Sequence, residues 1–241
     1  MTKARRNYRA LDAGEIVKTA GRLADRIAER FPGTGLSEGA TDLLANARTT
    51  ARRARALSRP YLGLRLLVLA VAGGGLATLA HILGDVDWAG ILERTEETAL
   101  AGVLEASVNL VVLMGAGLWF LLTLEERWKR ARVQAALHEL RAFAHVVDMH
   151  QLTKDPTVLL GAGPRTPSSP ERRMSRFELT RYLEYCAEML ALTGKLAALY
   201  AGETRDHVVV AAAADVESLC TDLGRKIWQK ITILGDLEEA G

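Results

Sequence analysis

Residues 60–83 read PYLGLRLLVLAVAGGGLATLAHIL, and apart from Arg65 and His81 no side chain among them is charged near neutral pH. An α-helix rises 1.5 Å per residue, so about 20 apolar residues cross the roughly 30 Å hydrocarbon layer of a bilayer. Pro60 suits the first turn of such a helix, where a missing N–H costs nothing. This stretch predicts a transmembrane helix over about 61–83.

A second stretch of similar length and composition follows at 103–124, VLEASVNLVVLMGAGLWFLLTL. The alternative is a pair of buried core helices in a water-soluble protein. Core helices rarely run this long without a polar face, so membrane insertion is the favoured interpretation. The sequence therefore predicts a transmembrane hairpin over 60–124, with spans at about 61–83 and 103–124 joined by an outer loop at 84–102.

The distribution of charge predicts the orientation of the hairpin. The loop between the spans has one arginine against five carboxylates, whereas basic residues crowd the other ends of both spans. Cytoplasmic segments carry the excess of lysine and arginine, so both termini are predicted in the cytoplasm, and the chain is placed in the plasma (inner) membrane as a multi-pass protein. The basic residues are Arg48, Arg52, Arg53, Arg55 and Arg59 before the hairpin and Arg127, Lys129, Arg130 and Arg132 after it.

Outside the hairpin, helical periodicity of the apolar residues predicts an all-α protein. Residues 1–59 are expected to form cytoplasmic amphipathic helices, the second of them capped near Ser37. Residues 125–241 are expected to form a cytoplasmic helical bundle, interrupted by a Gly-, Pro- and Ser-rich linker at 155–174. The sequence SRFE at 175–178 fits a capping box that opens a helix with a wide apolar face, which is typical of a bundle.

The stretch ALHELRAFAHVVDMHQL, residues 136–152, contains three of the five histidines. At helical spacing His138, Arg141, His145 and Asp148 form one polar line, and His150 falls on another side. The adjacent line is apolar and consists of Leu137, Leu140, Ala144 and Val147. His145 and Asp148, at i and i+3, are the candidate metal ligands. Di-metal bundles supply a Glu-x-x-His pair from each of two helices, and this chain has no such second copy. A polar contact between helices or subunits, or a pH-sensitive pair, is the favoured interpretation, so no bound metal is predicted.

Polar residues also lie within the spans. His81 ends the first span, and Glu105 and Asn109 begin the second, one helical turn apart. Ionisable groups within a bilayer are costly and are functional candidates by default. Alternatively, Glu105 lies at the outer interface, wetted by headgroups, without a role. Small residues on both spans, such as Gly74 and Gly115, favour close helix packing, so several copies are expected to share the polar face.

Composition excludes some classes of function. The net charge of +2 gives no reason to expect nucleic-acid binding. Cys186 and Cys220 lie far apart within apolar patterns and are predicted to be reduced, buried thiols. No apolar stretch follows the basic start of the chain, so a cleaved signal peptide is not predicted. No cofactor and no catalytic residues are predicted.

Three functions remain open on these observations. The first is a homo-oligomeric membrane assembly with a cytoplasmic helical domain, acting as a channel or pore. The second is a non-conducting membrane adaptor or scaffold whose bundle binds a soluble protein partner. The third, favoured least, is a membrane-bound metalloenzyme built on His145 and Asp148.

Overall fold

The computed structural model describes residues 11–57, 60–85, 97–154, 156, 167 and 174–239, and within these ranges it contains helices and no strand. The all-α class is therefore confirmed. The central part of the outer loop and nearly all of the linker at 155–174 lie outside the described residues. The helices are α1 (Ala13–Arg30), α2 (Gly35–Leu57), α3 (Leu62–Asp85), α4 (Glu97–Leu152), α5 (Arg176–Gly202) and α6 (His207–Glu239).

The chain divides into two compact units. The bundle unit comprises Met1–Ser58 together with Arg132–Gly241, and the hairpin unit comprises Arg59–Ala131. The bundle unit thus combines segments from both sides of the hairpin in the sequence. Helix α4 begins in the hairpin unit and ends in the bundle unit.

Local sequence determines where α1 ends and α2 begins. Asp12 caps α1 by accepting hydrogen bonds from Gly14 N–H and Glu15 N–H. After Phe31 the chain turns through Gly33, whose φ of 67° lies in the left-handed region that glycine adopts without strain. The hydroxyl of Thr34 then accepts from Ser37 N–H, so α2 starts at Gly35 and the expected cap at Ser37 is wrong.

Helix α5 lies at the centre of the bundle unit and packs against α1, α2 and α6. Its capping box is present as predicted, because Ser175 accepts from Glu178 N–H while the Glu178 carboxylate accepts from Ser175 N–H. Buried side chains occur around much of its circumference, which accounts for its wide apolar face. They include Leu179, Leu183, Tyr185, Cys186, Met189, Leu190, Leu196 and Ala197.

The last part of α4 also packs into the core of the bundle unit. Leu137, Leu140, Ala144 and Val147 are buried there, as their helical spacing predicts. An ion pair of 2.9 Å between Arg53 of α2 and Glu139 ties the two helices at the surface.

The hairpin unit has almost no interior. Among its described side chains only Val68 is buried. Two helices of the chain are long and apolar enough to cross a membrane, and in their most apolar windows 6% and 0% of the residues are buried. A core helix of a water-soluble protein buries most of its apolar surface, which these two do not.

Candidate functional site

The polar pair at the start of the second span is exposed within the single chain. Glu105 and Asn109 both present their side chains outward from α4, and no hydrogen bond or ion pair joins either to another described residue. Glycines nearby are equally open, since a Cβ added at Gly115 or Gly117 would meet no atom within 4 Å. Glu105 and Asn109 therefore have no hydrogen-bond or ion-pair partner among the parts of the chain that the structure describes.

His81, the third residue of the predicted membrane polar face, contacts its own helix. Its Nδ1 lies 3.5 Å from the carboxylate of Asp85, one turn further along α3, and both side chains are exposed. Within the described ranges no hydrogen bond or ion pair joins His81 to Glu105 or Asn109. The structure thus brings together His81 and Asp85, whereas the grouping of all three polar residues stays a prediction.

The predicted cytoplasmic polar line lies on the outer surface of α4. His138, Arg141 and His145 are exposed, and Asp148 is half-buried. Arg141 reaches across to α6, where its guanidinium lies 3.7 Å from Asp215. A surface ion pair of this kind contributes about 0–1 kcal/mol, so it orients helices more than it stabilises them.

Asp148 bonds to a glutamine rather than to His145. The amide of Gln151, a buried residue, donates to the Asp148 carboxylate at 2.5 Å. The ammonium of Lys230, from α6, donates to both the side-chain and backbone oxygens of Gln151, at 2.6 and 2.9 Å. The Gln151 carbonyl also accepts from Lys154 N–H at 3.0 Å, so Lys230 adds a second donor in the last turn of α4 and complements the negative end of its dipole.

His150 has a separate role in packing. Its ring lies against the first residue of α2, because a Cβ added at Gly35 would fall 2.7 Å from the Cε1 atom of His150. A larger side chain at position 35 would therefore displace the His150 ring. The three histidines of the stretch 136–152 therefore have different surroundings.

The described residues contain no group of three or more His, Cys, Asp or Glu side chains that could hold a metal ion. His145 and Asp148, the candidate ligands, lack a third ligand there. That the purified protein carries no transition metal stays a prediction, which elemental analysis tests. About one metal per chain, lost on replacing His145 and Asp148 together by alanine, would contradict it.

A cluster that the sequence did not predict lies at the other end of the hairpin unit. The carboxylate of Glu125 accepts from the Arg65 guanidinium at 2.8 Å, from Lys129 Nζ at 2.8 Å and from Tyr61 N–H at 3.2 Å. Partial burial raises the pKa of Glu125, but the three hydrogen bonds outweigh burial and lower the pKa to about 2. Lys129 Nζ also lies 5.2 Å from the centre of the Tyr61 ring. Glu125 thus ties the start of α3 to α4.

The signal for this cluster was present in the sequence. Glu125 and Glu126 are acidic residues at an end of the hairpin where the other charged residues are basic. Lys129 follows Glu125 by four residues, a spacing at which a glutamate and a lysine face each other on a helix and form an ion pair.

The two cysteines, Cys186 and Cys220, are buried free thiols. Burial raises the pKa of Cys186 to about 12 and that of Cys220 to about 11. Since the thiolate is the nucleophile, these thiols are poorly reactive at neutral pH.

Comparisons with protein-family models, with curated proteins and with solved structures found no match for this chain. The function proposed for it therefore depends on the sequence and geometry of the chain itself.

Proposed function

We propose that this chain is an integral membrane protein that crosses the bilayer twice, holds its helical bundle at the cytoplasmic face and assembles with copies of itself through the spans. We further propose that this assembly conducts ions.

The main evidence for two membrane crossings is that the bundle unit is formed by segments from both sides of the hairpin in the sequence. Helices α1 and α2 precede the hairpin and α5 follows it, yet α5 packs against both. Segments that pack in one core must lie on the same side of a membrane, so the chain between them crosses an even number of times. Two crossings match the two long apolar helices. The excess of basic residues at the bundle ends of the spans supports the cytoplasmic side.

Self-assembly is supported by polar groups without partners. A charged group deep in lipid costs a few kcal/mol on insertion scales, and Glu105 and Asn109 find no partner within the described chain. Contact with the same face of other copies supplies hydrogen bonds or shared water. The open glycines let neighbouring backbones approach, which gives the packing that drives association in lipid. Copies of one chain most often close into a ring.

Native mass spectrometry of the full chain in several detergents and in nanodiscs tests the assembly. A defined closed oligomer is the expected result. A monomer under all conditions would refute self-assembly while leaving the double crossing intact.

Ion flux into liposomes tests conduction. A ring of Glu105 carboxylates favours cations, so Glu105→Gln is expected to lower the cation preference without changing the oligomer. Glu217→Gln removes an exposed carboxylate from α6 in the bundle and serves as the matched control. Flux that is unaffected by Glu105→Gln would remove the pore from the proposal.

The alternative, a non-conducting adaptor, is favoured by one surface of the bundle unit. Val146, Met149 and Leu152 follow one another at three-residue spacing on α4, and all three are exposed. Exposed apolar groups in a row are typical of protein-binding surfaces. A stable oligomer without flux in any lipid would favour the adaptor over the pore.

A further inference from the structure

A cleft of about 420 Å³ opens between α3 and α4 at the Glu125 end of the hairpin unit. Its walls are apolar along the spans, formed by Leu64, Leu69, Leu121 and Leu122. They are charged at one end, where Arg65 and Lys129 stand beside Glu125 and Glu126. The volume is within the range of small-molecule sites. The apolar walls and the charged end of the cleft match the two parts of a phospholipid, its acyl chains and its charged headgroup.

Arg65 has donors to spare for a ligand. Its Nε donates to Glu125, and no hydrogen bond from either of its two terminal amino groups to a described residue is present. Its side chain is 60% exposed, whereas that of Glu125 is 12% exposed. Glu125 therefore fixes the guanidinium in place and leaves its outer edge open. The planar fork of arginine matches the oxygens of a phosphate.

The charge at this end of the hairpin unit favours an anion. Four described basic side chains stand against two carboxylates, which leaves a net charge of +2. Arg65 and Lys129 line the cleft together with Glu125 and Glu126, and the excess comes from Arg127 and Arg130, which lie outside its lining. Under the proposed topology these residues meet the cytoplasmic leaflet, where anionic lipids concentrate, and basic pockets between transmembrane helices bind such headgroups.

We propose that this cleft binds one anionic phospholipid of the cytoplasmic leaflet, with an acyl chain along Leu64, Leu69, Leu121 and Leu122 and the phosphate on Arg65. Glu125 acts as a positioning residue for Arg65. The inference rests on the proposed membrane crossing.

The test compares two lipids with identical acyl chains, phosphatidylglycerol and phosphatidylcholine, added to the purified full chain and counted by native mass spectrometry. The wild-type chain is expected to retain phosphatidylglycerol preferentially. Arg65→Gln should lower that preference roughly ten-fold, because it removes charge-assisted hydrogen bonds to the phosphate. Arg127→Gln is the matched control, because Arg127 lies over the Phe120 ring and does not line the cleft.

A second variant tests the apolar part without changing charge. Leu69, which is exposed, lines the cleft, and Leu69→Trp should reduce retention of both lipids while helix content by circular dichroism is unchanged. If Arg65→Gln fails to fold, Leu69→Trp still tests whether lipid binds in the cleft. Equal retention of both lipids by the wild type, equal losses in Arg65→Gln and Arg127→Gln, or full retention in Leu69→Trp would overturn the proposal.

Alkaline carbonate extraction of membranes separates the two levels of failure. A wild-type chain that stays in the membrane but shows no lipid preference overturns the lipid site alone. A wild-type chain that alkali releases overturns the membrane crossing and the lipid site together.

Discussion

At the scale of single residues, the carboxylate of Glu125 accepts three hydrogen bonds in a unit that otherwise has little interior. Hydrogen bonds to a charged group contribute about 1.5–3 kcal/mol, more than neutral ones. We expect Glu125→Gln to lower the free energy of unfolding by about 2 kcal/mol, because it weakens the contacts with Arg65 and Lys129. Thermal unfolding in detergent, followed by tryptophan fluorescence, measures this. Glu126→Gln, an exposed neighbour, should have little effect, and an equal effect of the two changes would contradict the role of Glu125.

The same carboxylate predicts a dependence on pH. The fold lowers the pKa of Glu125 from 4.5 to about 2, so its contribution to stability is present above pH 4.5 and is lost as the pH falls toward 2. The difference in melting temperature between wild type and Glu125→Gln should be constant from pH 7 to about 5.5 and shrink below pH 4.5. A difference that persists at pH 2 would show that charge is not its cause.

A second residue-scale prediction concerns Gly35 and His150. A methyl group at position 35 would fall 2.7 Å from the His150 ring, so Gly35→Ala must displace that ring. We expect a loss of about 1 kcal/mol in the wild-type background and no loss in a His150→Ala background. A double-mutant cycle by chemical denaturation measures the coupling. Additive effects would show that the ring and Gly35 are not in contact.

At the scale of helices, the C-terminal end of α4 is hydrogen-bonded by the side chain of Lys230 from α6. Lys230→Met keeps an apolar stem on α6 but removes the donor to the buried Gln151, whose oxygens then lack that partner. We expect the free energy of unfolding of the bundle to fall by about 2 kcal/mol. Lys226→Met, one turn earlier and exposed, is the control. Equal stability of the two variants would exclude the contact with Gln151 as a contributor.

Helices were more predictable from the sequence than the contacts between them. The capping box at Ser175 and the buried row Leu137, Leu140, Ala144 and Val147 depend on residues close in sequence, so spacing alone predicts them. The cap of α2 was placed at Ser37 instead of Thr34, since both are good capping residues and the turn at Gly33 decides between them.

The contacts of Glu125 and Lys230 join residues far apart in the sequence, and periodicity carries no information about such pairs. Helical spacing can also suggest contacts that do not form. His145 and Asp148 lie next to each other on one helix face, but no hydrogen bond joins them. Asp148 is bonded to Gln151 instead.

At the scale of the whole molecule, the shared core of α1, α2 and α5, together with the proposed membrane crossing, predicts that both ends of the chain lie on one side of the bilayer. Reporter fusions at the N-terminus and the C-terminus should give cytoplasmic signals, and a fusion at residue 90 an outside signal. Opposite signals from the two termini would contradict the even number of crossings. A cytoplasmic signal from residue 90 would contradict the hairpin.

The division of the bundle unit between two segments also constrains the order of events during synthesis. The surfaces of α1 and α2 that pack on α5 leave the ribosome first and must wait for 145 further residues, from 57 to 202, before their partner is complete. At about 5–20 residues per second that delay is roughly 7–29 s, and under the proposed topology the two apolar spans enter the bilayer during it. The surfaces of α1 and α2 that pack on α5 therefore stay exposed to chaperones throughout this interval. Products that terminate before residue 176 never cover it, which makes them targets for proteolysis.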